Sequence, residues 1–327
     1  MLQRFSKQYQ FSQIGRMKQR KRSHIKYFSK PIIEGQYGVV PARAVPSHIQ
    51  RPSYISETKP VYGIYEGAPV VHGQDMIQKL RKAAQIAAKT AYVASKSVKQ
   101  GMTTDDLDKI VHEFIISQNA YPSPIGFMGF PKSVCTSVNE VCCHGIPNLR
   151  PLDGGDSLNI DVTIFYDGVH GDTSVMAQVP EMNPEITKLI DTTQKALYEA
   201  IKICKPGQKF SKIGDIVEEV AGDEGFTVCE LFTGHGIGEL MHMPPTIIHN
   251  FNDYPGVMVP GNVFTIEPIL LMRHDQYLMW KDNFTVVSPD NPSGIVNLQT
   301  VAQWEHMVLI TENGYEVLTK REDETGI

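Results

Sequence analysis

Four acids in this chain lie where acids are costly. Asp161 sits inside Leu158-Asn-Ile-Asp-Val-Thr-Ile-Phe-Tyr166, a run of strand formers, and Asp172 lies in the run that returns after Asp167-Gly168. Glu267 ends the apolar run Val263-Phe-Thr-Ile, and Glu305 stands just before Met307-Val-Leu-Ile310. Asp-Gly between two strand-like runs is the strongest short-range hairpin signal. With that pair as the turn, Thr163 faces Asp172, and Asp161, two residues away, projects from the same face. The two carboxylates become diagonal neighbours within about 8 Å. They repel each other and lose hydration unless a cation lies between them. A single strand acid is structural more often than not; four are too many to bury without compensation. His235 adds an imidazole in Thr233-Gly-His-Gly-Ile-Gly238, where glycines keep access open. Four carboxylates and one imidazole form an oxygen-rich donor set for divalent ions. Two ions sharing bridging carboxylates balance that charge better than one. A pair about 3.5–4 Å apart can polarise a carbonyl and activate water. The chemistry implied is hydrolysis.

Such a set needs elements that bring distant residues together. Ile77, Leu80, Ala84, Ala87, Ala91, Ala94 and Val98 recur at helical spacing between Asp75 and Gly101. A second helix is predicted after Thr103-Thr104, with Leu107, Ile110, Val111 and Phe114 on one face and Asn119 near its end. Asn183-Pro184 is a good cap and first-turn pair for a third helix, which ends before Pro206-Gly207. Ser211 opens a fourth, with Ile213, Ile216, Val217 and Val220. At an offset of 106 residues, Gly101 falls on Gly207, Leu107 on Ile213, Ile110 on Ile216 and Gly155 on Gly261. The same offset lays Leu158-Asn-Ile-Asp161 on Phe264-Thr-Ile-Glu267. Helix, glycine turn, helix and a strand closing on a carboxylate thus occur twice. The expected fold is α+β, two pseudo-symmetric halves with antiparallel sheet covered by helices. Asp161 and Glu267 then meet at the join between halves, a common place for a site.

Composition bounds the rest. Nine Lys/Arg and no acid occupy residues 1–33, leaving 22 Lys/Arg against 36 Asp/Glu beyond them. A basic, Ser-containing, acid-free start without an apolar core reads as an organelle transit peptide over 1–33. Residues 34–72 carry Pro41, Pro46, Pro52, Pro60 and Pro69 and read as an extended arm lying on a catalytic domain of residues 73–327. The acidic body argues against nucleic-acid binding through a broad basic face. No apolar run approaches the ~20 residues of a membrane helix. Five cysteines without CxxC spacing suggest neither a disulfide framework nor a zinc knuckle. No feature demands a dimer, so a monomer is expected.

Six motifs, in order, resemble the type 1 methionine aminopeptidases over roughly residues 74–320. They are Val141-Cys-Cys-His144-Gly-Ile-Pro147, Asn159-Ile-Asp161-Val-Thr, His170-Gly-Asp172-Thr-Ser, Thr233-Gly-His235-Gly-Ile-Gly238, Phe264-Thr-Ile-Glu267-Pro and Ala302-Gln-Trp-Glu305-His306. The resemblance implies the pita-bread fold of the creatinases and aminopeptidases. It implies that Asp161 holds one ion, that Asp172 and Glu305 bridge two, and that His235 and Glu267 complete the other. The ions would be Co, Mn, Fe or Zn. Glu267 would also act as general base. His242 would contact the scissile amide, and His144 would lie near the leaving nitrogen. Phe127, Phe130, Cys135, Met241 and Phe284, with the two histidines, would line a methionine pocket. The implied reaction removes initiator methionine from nascent or imported proteins with a small second residue, by attack of metal-activated hydroxide. With its basic presequence the chain looks most like the organellar form, which implies the mitochondrial matrix, with another organelle or the cytoplasm as alternatives. Xaa-Pro peptidases and non-catalytic peptide-binding proteins of the same fold are the rivals. The former normally carry a large additional N-terminal domain, and the latter have lost metal ligands.

Overall fold

The computed structural model describes residues 32–327 apart from Lys59, Tyr65, Met182, His274 and residues 289–298. Residues 1–31, and with them nearly all of the transit-peptide expectation, lie outside the described residues. Five α-helices are described: α1 (Ser53–Ser56), α2 (Gln74–Ser97), α3 (Thr104–Ser117), α4 (Pro184–Lys202) and α5 (Ser211–Glu224).

Local chemistry sets the helix ends. The Thr103 hydroxyl accepts from the Asp106 N–H while the Asp106 carboxylate accepts from the Thr103 N–H, a capping box opening α3. The Asn183 side chain accepts from the Glu185 N–H, and Pro184 takes the first helical position of α4. Helix α2 turns Leu80, Ala83, Ala84, Ala87 and Ala91 inward. Its small side chains let it lie close on the hairpin of Ser157–Tyr166 and Val169–Gln178.

That hairpin turns at Asp167 and Gly168, both at positive φ (51° and 88°), as a tight two-residue hairpin turn requires. Ser157–Tyr166 carries Val169–Gln178 along one edge. Its other edge carries Tyr121–Pro122 and Cys135–Val138. A second antiparallel sheet runs in the order Gly314–Val317, His306–Thr311, Val263–Ile266, Gly234–Gly236, Met243–Ile247. A third places Ile269–Leu271 between Val301–Gln303 and Thr227–Val228.

The 106-residue repeat is visible in these elements. α2 and α3 correspond to α4 and α5, and Ser157–Tyr166 corresponds to Val263–Leu271. The halves differ in continuity. The first hairpin ladder runs unbroken from Ser157↔Gln178 to Tyr166↔Val169. The second stops at Ile266↔His306 and resumes at Ile269↔Gln303. Glu267 and Pro268 lie in that gap opposite Trp304 and Glu305. Pro268 has no N–H to give a ladder, which is one physical reason for the break.

The segment 34–72 is extended apart from α1 and is tied down at several points. Arg43 pairs with Asp105 at 2.8 Å and with Asp108, and the fully buried Lys132 pairs with Asp105. Ile49 packs with Tyr121 and Phe165 in a small core of its own. No described helix is long and apolar enough to cross a membrane.

Candidate metal centre

The two strand acids project as the hairpin register requires. Thr163 pairs with Asp172, and Asp161 pairs with Ser174 on one side and Cys135 on the other. The Thr163 hydroxyl donates to the Asp172 carboxylate at 2.7 Å. Glu267, in the gap of the second ladder, is held by three neighbours. The Thr265 hydroxyl donates to its carboxylate at 2.8 Å, and the Gln303 amide lies 3.4 Å from the other oxygen. Its backbone N–H donates to His249 Nε2 at 3.0 Å. The peptide oxygen of Glu305 accepts from the Thr173 hydroxyl, which in turn accepts from Arg321 at 3.0 Å.

His235 comes from the short strand Gly234–Gly236. Its Nδ1 lies 3.1 Å from the Gly236 carbonyl, which can only accept, so Nδ1 carries the proton. Nε2 then keeps its lone pair and lies 3.7 Å from Asp172 and 3.5 Å from Glu267. A neutral imidazole aimed this way is the form that ligates metals. The glycines beside it serve close packing: a Cβ on Gly234 would lie 2.4 Å from the Thr265 carbonyl oxygen, and one on Gly236 would lie 2.1 Å from that of Pro244.

Among the described residues, Asp172, His235 and Glu305 each offer a ligand atom, and these atoms all lie within 4.8 Å of one another. Glu267 joins the triad through His235, and Asp161 through the field of Asp172. Burial pushes the Asp161, Glu267 and Glu305 carboxyls well above the usual range, and Asp172 repels all three. Burial raises Asp172 itself, against the hydrogen bond from Thr163. Four acids that resist ionising in one place, faced by an unprotonated imidazole, fit a divalent-cation site. Two recesses, of about 330 and 220 Å³, contain none of these residues.

Histidines surround it. His235 and His242 stack edge to face with centroids 4.4 Å apart. His144, at φ 57°, stands edge-on to Phe232 at 5.3 Å. Burial lowers His144 to about 4, and drives His242 well below its usual value with help from His235. Both rings are therefore neutral at neutral pH.

The residues expected to line a pocket divide into two groups. Phe130, Cys135 and Ile146 form one apolar cluster with Phe284 against it, and the Phe130 and Phe284 rings meet edge-on at 5.2 Å. Cys135, opposite Asp161, puts this cluster beside the acids. Phe127 lies outside it, against Tyr54, Tyr62 and His242. Met241 is buried, and its main chain hydrogen-bonds His235. Sequence reasoning did not single out Thr265, Gln303, His249, Ile146, Tyr54, Tyr62 or Arg321. Thr265 and Gln303 had a signal, each lying in a strand two residues before one of the four acids. His249 had none, since only the turn of chain after Met243–Ile247 carries it to Glu267.

The sequence profile described as metallopeptidase family M24 matches residues 78–312. The mitochondrial methionine aminopeptidase 1D of Danio rerio is 45% identical over 287 residues, 88% of this chain and 82% of its own. The chloroplastic methionine aminopeptidase 1B of Arabidopsis thaliana is 44% identical over 86% of this chain and 74% of its own. The crystal structure of the Rickettsia prowazekii methionine aminopeptidase superposes with a TM-score of 0.73 at 37% identity, over 77% of this chain and all of that one. The chain belongs to metallopeptidase family M24 and, within it, to the type 1 methionine aminopeptidases.

Proposed function

We propose that Asp161, Asp172, His235, Glu267 and Glu305 hold two divalent ions, and that the site releases N-terminal methionine ahead of a small second residue. The observation that carries this is the convergence of Asp172, Glu267 and Glu305 on the His235 imidazole, with Asp161 in the field of Asp172. Bound there, the ions would supply Lewis-acid polarisation of the scissile carbonyl and a nucleophilic water at neutral pH. Glu267 takes the proton of the attacking water and returns it to the leaving amine. His242 offers its ring to the carbonyl oxygen as charge develops, and His144 faces the departing nitrogen. Phe130, Cys135, Ile146 and Phe284 take the unbranched thioether, which their apolar surface suits. Phe127 and Met241 shape the site from the His242 side. Residues 73–327 form the catalytic body and 34–72 its arm. The acid-free, basic start and the organelle labels of the relatives support residence in the mitochondrial matrix. The monomer is taken to act on free peptide and protein N-termini.

The test is release of methionine from Met-Ala-Ser by protein supplied with Mn or Co. Glu267→Gln should lose at least about a hundredfold in kcat, within the range of a lost general base, and keep its circular dichroism. Metal-loaded wild-type protein that releases no methionine sinks the reading.

A further inference from the structure

The M24 match begins at residue 78, yet the segment before it packs on Phe127 and pairs with His242. Tyr54 and Tyr62, stacked on each other with centroids 6.0 Å apart, both meet the ring of Phe127 edge-on, at 5.2 Å and 5.3 Å. Phe127 in turn meets the His242 ring edge-on at 5.4 Å. The same arm grips His242 through its main chain. Gly63 forms a parallel bridge with His242, and the Ile64 N–H donates to the His242 carbonyl at 2.9 Å. The arm thus reaches the backbone of this histidine directly and its ring through Phe127. An imidazole turns about two torsions, and useful placement demands that both be held within about 0.5 Å and 10–20°.

We propose that the arm is a working part of the site and that Tyr62 is a positioning residue, holding His242 through Phe127. This rests on the reading of His242 as the group that faces the scissile amide. Tyr62 is the better probe of the two tyrosines. The buried Tyr54 hydroxyl donates to the Ser123 carbonyl, so truncating Tyr54 would disturb the fold. Tyr62 is half-buried, and the arm stays anchored without it by Arg43, by Tyr54 and by the His72 N–H on the Gly261 carbonyl at 2.9 Å.

Full-length, metal-loaded protein is assayed on Met-Ala-Ser. Tyr62→Ala should lower kcat about tenfold, the upper worth of such a ring contact, with little change in KM. Inhibition by free methionine should not move, because the Phe130, Cys135 and Phe284 cluster is untouched. Mn affinity by titration calorimetry should be that of wild type, and Tyr62→Phe should restore kcat. In a His242→Ala background, Tyr62→Ala should add nothing, since it acts through that ring. An unchanged kcat in Tyr62→Ala, a loss that persists without His242, or a parallel fall in Mn affinity would each overturn the assignment. Absence of methionine release from wild-type protein would instead overturn the peptidase reading, and this inference with it.

Discussion

At Glu267 the neighbours matter as much as the carboxylate. The Thr265 hydroxyl fixes one oxygen, and the same hydroxyl accepts the His235 N–H at 3.0 Å. One threonine therefore sets two of the five proposed ligands. Thr265→Val keeps the shape and removes both hydrogen bonds. It should weaken Mn binding about 10–100-fold, the usual cost of losing an outer-shell partner, while the melting temperature moves little. Titration calorimetry checks this; unchanged affinity would show that Glu267 and His235 are held by packing alone. The pseudo-repeat placed Asn159 where Thr265 stands. The structure gives Asn159 related work, since its amide donates to the Ser174 hydroxyl and the Gln303 carbonyl.

Among the elements, the hairpin of Ser157–Tyr166 and Val169–Gln178 carries the most meaning. Its register was legible because Asp167-Gly168 allows one tight turn, and a one-residue slip would send Asp161 and Asp172 to the other face. What lies under it was not legible. A Cβ on Gly171 would meet the Ala83 carbonyl at 2.5 Å, so this strand and α2 approach at backbone distance beside Asp172. Gly171→Ala must push strand from helix. It should cost about 1–3 kcal/mol in urea unfolding and lower kcat as Asp172 moves. A variant as stable as wild type would mean that the hairpin shifts freely over α2. The second ladder shows the limit of strand patterns. Alternation alone does not say that pairing lapses between Ile266↔His306 and Ile269↔Gln303, leaving Glu267 and Glu305 in the gap.

In the whole molecule, four carboxyl groups that resist ionising crowd the join between the halves, Asp172 and Glu305 buried and Asp161 and Glu267 half-buried. In metal-free protein ionising them costs repulsion and lost hydration, and bound cations relieve both. Chelation should lower the melting temperature. Asp172→Asn should raise it in the chelated protein, by removing one charge that repels three others, and should abolish the stabilisation by added Mn. Scanning calorimetry with and without chelator decides this. A melting temperature indifferent to metal would mean that the acids stay protonated and the join needs no cation.

Acids inside apolar strands, the Asp-Gly turn and the 106-residue offset pointed to Asp161, Asp172, Glu267 and Glu305 as one set, to which the glycine-flanked His235 added an imidazole. Helices, caps and the double unit were legible for the same reason: they are written in near-neighbour spacing. The tertiary structure alone decided what distant segments bring to the set. His249 supports Glu267, Arg321 supports Glu305 through Thr173, Ile64 reaches His242 directly and Tyr62 reaches it through Phe127. None of these pairs shares a period or a motif. Each exists because the two halves meet at a join and the arm and C-terminal tail pack against it.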